Sequence, residues 1–217
     1  MRKRSFIPIW VLSVQLFSIF HCYSETDENT VSDILSLSHQ IPVSIIGDSL
    51  CERSDAFNLK EGLGADFLVY NTCVSGRTVL DWIPDLQTAL APNPKLVIIE
   101  LGTNDVSGYP TSEFPGNYQR LLSELKQRSN AIPLITILPP TSAGPGGYRT
   151  KILEINVFLK SLASIYITAD METAFLSAET QVPLYPSLDP IHPNQSGYLI
   201  MRNAYVSAIS KLIGIYL

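Results

Sequence analysis

The stretch Val43–Leu50 reads Val-Ser-Ile-Ile-Gly-Asp-Ser-Leu, an apolar run that ends abruptly in glycine and aspartate. Such a run predicts a buried β-strand that stops at Gly47. Ser49 then lies just past the carboxyl end of the strand, at the start of a helix. In open α/β sheets ligands bind at this edge, where a helix N-terminus offers N–H groups and positive potential. The stretch alone fits two roles for Ser49, a nucleophile and a helix N-cap.

Apolar runs that end in turn residues recur along the chain and alternate with stretches of helical spacing. Strands are expected at 42–47, 67–70, 96–101, 134–138 and 165–168. Helices are expected at 55–62, 78–90, 118–129, 148–163 and 196–217. This alternation predicts a five-stranded parallel sheet with helices on both faces, a three-layer α/β/α sandwich.

Polar clusters follow three of the predicted strands, at 47–49, 71–76 and 102–105. Because parallel strands all end on the same edge of a sheet, these clusters are expected to meet there. The sequence therefore predicts a functional site at the carboxyl edge of the sheet.

Of the three histidines, only one is placed to act as a base for Ser49. His21 belongs to an N-terminal segment that we expect to be removed. His39 precedes the first strand, which separates it from Ser49 by roughly 20 Å at ~3.3 Å per residue. His192 lies in Asp189-Pro-Ile-His192-Pro, where a carboxylate three residues earlier can fix the imidazole tautomer. The same pattern also fits a histidine in a proline-rich turn with a capping aspartate.

Acyl transfer also needs hydrogen-bond donors for the developing oxyanion. Three candidates lie on the predicted edge: the Ser49 N–H, an N–H in the turn 74–76, and the Asn104 amide. Taken singly, Gly76 also fits ordinary turn geometry and Asn104 also fits an Asx turn.

Four short motifs, in this order along the chain, resemble the sequence blocks of the SGNH, or GDSL, family of ester hydrolases. They are Gly47-Asp48-Ser49-Leu50, Asn71-Thr72-Cys73-Val74-Ser75-Gly76, Gly102-Thr103-Asn104-Asp105 and Asp189-Pro190-Ile191-His192-Pro193. The Gly-X-Ser-X-Gly elbow of α/β-hydrolases is absent from the sequence.

The resemblance implies a flavodoxin-like SGNH hydrolase fold with a serine hydrolase site. Ser49 would be the nucleophile, His192 the base and Asp189 the residue that orients it. Gly76 and Asn104 would complete the oxyanion hole with the Ser49 N–H. The resemblance implies no metal and no cofactor.

Two departures from the family pattern lie close to these blocks. Residues 51–53, Cys-Glu-Arg, stand where the family commonly has small residues and a glycine. Arg77 stands where an acidic residue often follows the second block. Because of these two departures, the family resemblance does not define the shape or the charge of the substrate pocket.

The main functional prediction is a serine hydrolase that cleaves carboxylic esters or thioesters through an acyl-enzyme. Length, leader and block spacing are most similar to the lysophospholipase and acyl-thioesterase branch, which implies a lysophospholipase-, thioesterase- or arylesterase-like activity. Apolar residues on the active edge favour medium-chain acyl groups; they are Tyr109, Pro110, Phe114, Pro139, Pro140 and Tyr148. Arg77 would attract an anionic leaving group. The alternatives are a carbohydrate O-deacetylase and a catalytically silent binding domain on the same fold.

Residues 1–24 have the pattern of a signal peptide, with a basic start at 2–4 and an uncharged run to Phe20. Cleavage after Ser24 would leave a single hydrolase domain at 25–217 that is periplasmic or extracellular. The alternative is an uncleaved N-terminal anchor.

Composition and charge narrow the partners. The chain is 46% hydrophobic, which indicates a globular domain. Removing three basic and no acidic residues takes the net charge from −5 to −8, which argues against nucleic acid as a partner. We expect a small-molecule or lipid ester substrate and transient contact with a membrane surface.

Two cysteines, Cys51 and Cys73, remain in the mature chain and follow strands expected to be neighbours. They could form a disulfide in an exported protein or remain two small buried residues. With two cysteines and two histidines, the mature chain has no obvious ligand set for a structural zinc site.

Overall fold

The computed structural model describes residues 40–142 and 147–216. The predicted leader at 1–24 and His39 lie outside these residues, so both remain sequence predictions. None of the helices in the described part of the chain is long and apolar enough to span a membrane.

Five parallel strands form one sheet in the order β2-β1-β3-β4-β5. The strands are β1 Ile41–Gly47, β2 Phe67–Asn71, β3 Leu96–Glu100, β4 Ile132–Ile137 and β5 Ile167–Asp170. This order is the flavodoxin-like one, in which ligands bind where the strand order reverses, outside β1 and β3. The predicted fold class is therefore confirmed, and the switch point lies directly beneath Ser49.

Eight α-helices occur among the described residues. They are α1 Ser49–Arg53, α2 Leu59–Leu63, α3 Val79–Leu90, α4 Asp105–Gly108, α5 Phe114–Arg128, α6 Tyr148–Ser161, α7 Met171–Ala178 and α8 Gln195–Tyr216. Helices α3, α5 and α6 pack on one face of the sheet, and α1, α2, α7 and α8 pack on the other. Ile46 and Ile99 point into the first layer and Ile45 and Ile98 into the second, as the two-residue period of a strand requires.

The helix predicted at 55–62 is wrong in its first half. Asp55, Ala56, Phe57 and Asn58 have φ values of 48° to 59°, a left-handed turn, and α2 begins only at Leu59. The Ser54 hydroxyl stabilises the turn, because it donates to the Leu50 carbonyl at 2.7 Å and accepts from the Phe57 N–H at 3.0 Å. Phe57 is 1% exposed, and the burial of its ring offsets the unfavourable backbone conformation.

Helix α7 was not expected from the sequence. It is short, and its core contacts come from Met171, Glu172 and Phe175, too few to give a clear helical period. The Asp170 carboxylate at the end of β5 caps it by accepting from the Thr173 N–H at 2.9 Å.

Candidate active site

Ser49 and His192 meet at the carboxyl edge of the sheet although 143 residues separate them. Ser49 is the first residue of α1 and is 7% exposed, and its hydroxyl lies 2.9 Å from His192 Nε2. On the other side of the ring, His192 Nδ1 lies 2.8 Å from Asp189 Oδ2. With the carboxylate on Nδ1, the neutral ring carries its proton there and leaves Nε2 free to accept from the serine hydroxyl.

The acid and the base are joined by a short local turn. Asp189 Oδ1 accepts from the backbone N–H groups of Ile191 at 3.1 Å and His192 at 3.0 Å. Burial alone would raise the pKa of the Asp189 carboxyl, but the bonds from the His192 backbone and ring together lower it. Asp189 is therefore ionised at neutral pH and aligned on the imidazole.

A layer of buried carboxyl groups lies beneath the nucleophile. Asp48 accepts from the Leu50 N–H at 2.9 Å, which caps the start of α1, and from the Asn104 amide at 3.0 Å. The Asp48 N–H in turn faces Glu100 Oε2 at 3.5 Å. Both carboxyl groups are fully buried. Their side chains anchor the nucleophile helix from below.

Burial changes the protonation of this layer. Burial, with the charge of Asp105, raises the pKa of Asp48 to about 7. Burial, with the charge of Asp48, raises the pKa of Glu100 well above its usual range. Asp48 accepts two N–H bonds, whereas Glu100 Oε1 has no hydrogen-bond partner among the residues that the structure describes. The proton that the pair retains therefore sits on Glu100, and Asp48 stays an acceptor.

Asn104 is joined to the first motif and to the residue that follows the second motif. Its amide group donates to Asp48 Oδ2 at 3.0 Å and to the Arg77 carbonyl at 3.1 Å, so both amide hydrogens are engaged. Its side chain makes no capping hydrogen bond to the helix that follows. The Asx turn, the alternative role for Asn104, would need such a bond. To donate to an oxyanion, Asn104 must share one of these hydrogens with the substrate.

Gly76 lies in a tight turn between β2 and α3. The Arg77 N–H donates to the Val74 carbonyl at 3.3 Å, and Gly76 has a φ of 80°, which fits the third residue of a type II turn. The Val74 N–H donates to the Gly47 carbonyl at 3.2 Å, so the turn is attached to the end of β1. Gly76 therefore adopts the turn geometry that the sequence suggested. The turn lies beside the end of β1, which leads to Ser49.

Cys51 and Cys73 are bonded as a disulfide with Cα atoms 5.9 Å apart. The bridge links α1 to the segment that leads into the Gly76 turn. Gly47 lies against it: a Cβ on Gly47 would come within 2.9 Å of Cys73 Sγ and 3.0 Å of Glu100 Oε2. A larger residue at this position would force the neighbouring side chains or the strand end to shift.

Arg77 is not the free cation that the sequence suggested. Its guanidinium pairs with the Asp85 carboxylate and lies over the Trp82 ring, 5.0 Å from its centroid. The cation beside the acid and base is Arg53, whose side chain is 54% exposed and whose Nη1 lies 3.7 Å from Asp189 Oδ2. Sequence reasoning missed this pairing because the two residues lie far apart in the chain.

Asp105, the last residue of the third motif, also connects the motifs. It accepts from the Val79 N–H at 3.0 Å, the first residue of α3, and from the Tyr109 hydroxyl. Burial raises the pKa of Asp105 to about 6, against the lowering effect of these bonds. The sequence signal for Glu100 is a charged residue at the end of an apolar strand, although that signal does not show that the group pairs with Asp48.

Comparison with known proteins places these observations in a family. The family model described as GDSL-like lipase/acylhydrolase matches residues 45–200. No curated protein is similar enough to the chain to count as a relative. In the described residues, no group of three or more His, Cys, Asp or Glu side chains could hold a metal ion.

Several solved structures share the fold. A catalytic mutant of an acetylxylan esterase from Geobacillus stearothermophilus is 19% identical, with a TM-score of 0.67 over 78% of this chain and 94% of that one. A putative GDSL-like lipase from Parabacteroides merdae is 19% identical, with a TM-score of 0.67 over 79% and 96%. A psychrotrophic esterase from Pseudoalteromonas sp., inhibited by monoethylphosphonate, is 22% identical, with a TM-score of 0.61 over 80% and 98%.

Proposed function

Because the chain belongs to the GDSL-like lipase/acylhydrolase family, we propose that it hydrolyses carboxylic esters through an acyl-enzyme formed on Ser49. The observation that carries the proposal is the continuous set of contacts from the Ser49 hydroxyl through His192 to Asp189. A nucleophile, a base and an orienting carboxylate in this arrangement are what acyl transfer requires.

Acylation begins when His192 Nε2 takes the Ser49 proton as Oγ forms a bond to the ester carbonyl carbon. The carbonyl π electrons move to the oxygen, which receives hydrogen bonds from the Ser49 N–H, the Gly76 N–H and the Asn104 amide. Asp189 stabilises the imidazolium that has formed. When the tetrahedral intermediate collapses, the ester C–O bond breaks and the leaving alcohol takes the proton from His192.

Deacylation repeats the same proton transfers with water. His192 takes a proton from a water molecule as its oxygen attacks the acyl carbon, and the bond to Ser49 Oγ then breaks. Ser49 recovers its proton from His192 and the carboxylic acid leaves. The residues of the site supply every proton transfer in this sequence.

Hydrolysis of p-nitrophenyl butyrate by the wild type and Ser49→Ala tests the proposal and separates it from a silent binding domain. The expected result is turnover by the wild type and none above background by Ser49→Ala. Turnover at the wild-type rate in the variant would remove Ser49 as the nucleophile, and no turnover by the folded wild type would favour the binding domain.

A preference for medium-chain acyl groups is part of the proposal. Val74, next to the Gly76 turn, is 39% exposed, and Leu188, next to Asp189, is 95% exposed, so apolar side chains flank the site. Of the apolar residues expected to form the groove, Phe114, Pro139 and Pro140 are buried, so the support comes from a smaller set than the sequence suggested. Each buried methylene contributes ~0.8 kcal/mol, so kcat/KM should rise from the C2 to the C8 p-nitrophenyl ester.

Carbohydrate O-deacetylation is the second candidate, favoured by a polar cavity whose lining includes Arg53, the residue that pairs with Asp189. The cavity has a volume of about 710 Å³ and its polar lining residues include Arg53, Asp55, Asn58, Gln195, Tyr198 and Arg202. These groups suit the hydroxyls of a saccharide leaving group, and an acetylxylan esterase shares the fold. A steep fall in kcat/KM beyond C2, with acetate released from acetylated xylan, would favour this candidate.

Export of the chain is also a proposal, supported by the leader pattern and by the disulfide between Cys51 and Cys73. Intact mass measurement of the secreted protein should show cleavage after Ser24 and no free thiol. A retained leader would support the membrane-anchored alternative.

A further inference from the structure

Glu52, one of the departures from the family pattern, contacts the oxyanion turn. Its Oε2 atom accepts from the Ser75 N–H at 3.2 Å and also from the Ser75 hydroxyl. Glu52 lies in α1 three residues after Ser49, and Ser75 directly precedes Gly76. A single side chain therefore connects the helix of the nucleophile to the residue before the expected oxyanion donor.

The position of Ser75 determines where the Gly76 N–H points. That N–H belongs to the peptide unit formed by the Ser75 carbonyl and the Gly76 nitrogen, and this unit is planar. Glu52 holds Ser75 at two points, its backbone nitrogen and its side-chain oxygen, and a carboxylate makes stronger hydrogen bonds than a neutral acceptor. Two-point attachment limits rotation of the peptide unit that carries the donor.

We propose that Glu52 is a positioning residue of the oxyanion hole, which holds Ser75 so that the Gly76 N–H faces the substrate carbonyl oxygen. The inference rests on the proposed function, because it takes Gly76 as a donor. It gives the departure at this position a role: the nucleophile and the donor are held to the same short helix.

The contact contributes little to folding. Glu52 and Ser75 are both exposed, and exposed charged contacts have small effects on stability. The Cys51–Cys73 disulfide and the bond from the Val74 N–H to Gly47 already fix the course of the chain here. Loss of Glu52 should therefore change the orientation of the Gly76 N–H while the fold stays intact. Small misplacements of catalytic groups have large effects on the reaction rate.

The test compares Glu52→Ala, Glu52→Gln and Ser75→Ala on p-nitrophenyl butyrate, with Glu124→Ala as the control. Glu124 is a carboxylate on α5 that bonds Arg128 away from the site. Glu52→Ala should lower kcat by about tenfold, a fraction of the loss that follows removal of a whole donor, and leave KM within twofold. Glu52→Gln should recover most of kcat, because its amide oxygen still accepts from Ser75. The control should match the wild type.

The double variant Glu52→Ala/Ser75→Ala shows whether Glu52 acts through Ser75. Its kcat should equal that of Glu52→Ala, because the first change already removes the contact. An unchanged kcat in Glu52→Ala, an effect on KM alone, or losses that multiply in the double variant would overturn the inference. If Glu52→Ala does not fold, the kcat values of Glu52→Gln and Ser75→Ala decide between the outcomes. Wild-type kcat in both variants would overturn the inference. A lower kcat in Ser75→Ala alone would support it.

The Ser49→Ala result keeps this test separate from the proposed function. An active Ser49→Ala enzyme would remove the proposed function and the inference with it. An inactive Ser49→Ala enzyme, with Glu52→Ala at the wild-type kcat, would remove the role of Glu52 alone.

Discussion

Asp48 and Asp189 are both carboxylates next to a catalytic residue, but the protein surrounds them differently. Asp48, beside Ser49, is fully buried above another buried carboxyl, and its pKa is raised to about 7. The Asp189 side chain, beside His192, is 36% exposed, and its pKa is lowered. Asp48 stabilises the structure from within the buried interior, and Asp189 supplies negative charge at the solvent-exposed surface of the site.

The difference between the two carboxylates separates a structural role near Ser49 from an electrostatic role near His192. On the nucleophile side, Asp48 links the start of α1 to Asn104, so a change there disturbs several elements at once. On the base side, Asp189 bonds residues two and three positions later in the same turn. Variants on the nucleophile side should therefore lose stability with activity, and variants on the base side should lose activity alone.

The largest expected effect is on the base side. His192→Ala should lower kcat by about 10⁴-fold or more, because His192 is the base that contacts the Ser49 hydroxyl in the part of the chain that the structure describes. Its thermal midpoint should stay within a few degrees of the wild type, since the ring is at the solvent edge. His39→Ala is the matched control and should keep wild-type kcat; the reverse pattern would assign the base to His39.

Asn104→Ala should show the combined loss expected on the nucleophile side. We expect kcat to fall by about 10²–10³, the usual effect of losing one oxyanion donor, with little change in KM. The free energy of unfolding should also fall by about 1–3 kcal/mol, because Asp48 and the Arg77 carbonyl lose a donor. Steady-state kinetics and urea unfolding measure the two losses, and a change confined to KM would contradict the assigned role.

Gly47→Ala tests the packing of the nucleophile side. The added Cβ would come within 3.0 Å of Cys51 Cβ and of Glu100 Oε2, so the strand end must shift. We expect a loss of about 1–3 kcal/mol in the free energy of unfolding, as for other overpacked sites. Gly116→Ala, in α5 where a Cβ would meet no atom of the described residues within 4 Å, is the control. Equal stability of the two variants would show that the strand end is loosely packed.

The smallest expected effect is a change in the pH dependence of stability. Glu100 is neutral in the fold and has its pKa raised by burial, whereas in the unfolded chain it ionises above about pH 4.3. The folded state therefore binds more protons, and the wild type loses stability as the pH rises above that value.

Glu100→Gln removes this titration. Its stability relative to the wild type should therefore increase with pH, because the wild type alone loses the stabilisation that comes from keeping Glu100 protonated. Urea unfolding of both proteins at pH 5 and pH 8 measures the effect. The same difference at both pH values would mean that Glu100 is ionised in the fold.

The same contrast explains which features could be predicted from the sequence. Strand ends and motif order depend on local patterns, so the meeting of Ser49, His192 and Asp189 followed from topology and the family resemblance. The carboxyl pair of Asp48 and Glu100 could not be predicted, because its properties depend on burial by elements far apart in the chain.

Other features were missed for related reasons. The left-handed turn at 55–58 depends on where Phe57 packs: its ring lies 5.0 Å from that of Tyr205 in α8. Arg77 looked like a substrate contact because its partner, Asp85, lies eight residues away on the next helix. Contacts of this kind follow from the assembled fold and leave no short-range pattern.

Covalent labelling shows whether Ser49 is a nucleophile activated by His192. The intact protein is treated with a p-nitrophenyl alkylphosphonate, digested and mapped by mass spectrometry. We expect one adduct, on the peptide that contains Ser49, no adduct in Ser49→Ala and labelling slowed at least a hundredfold in His192→Ala. An adduct on a different residue, or equal labelling rates in the wild type and His192→Ala, would contradict this expectation.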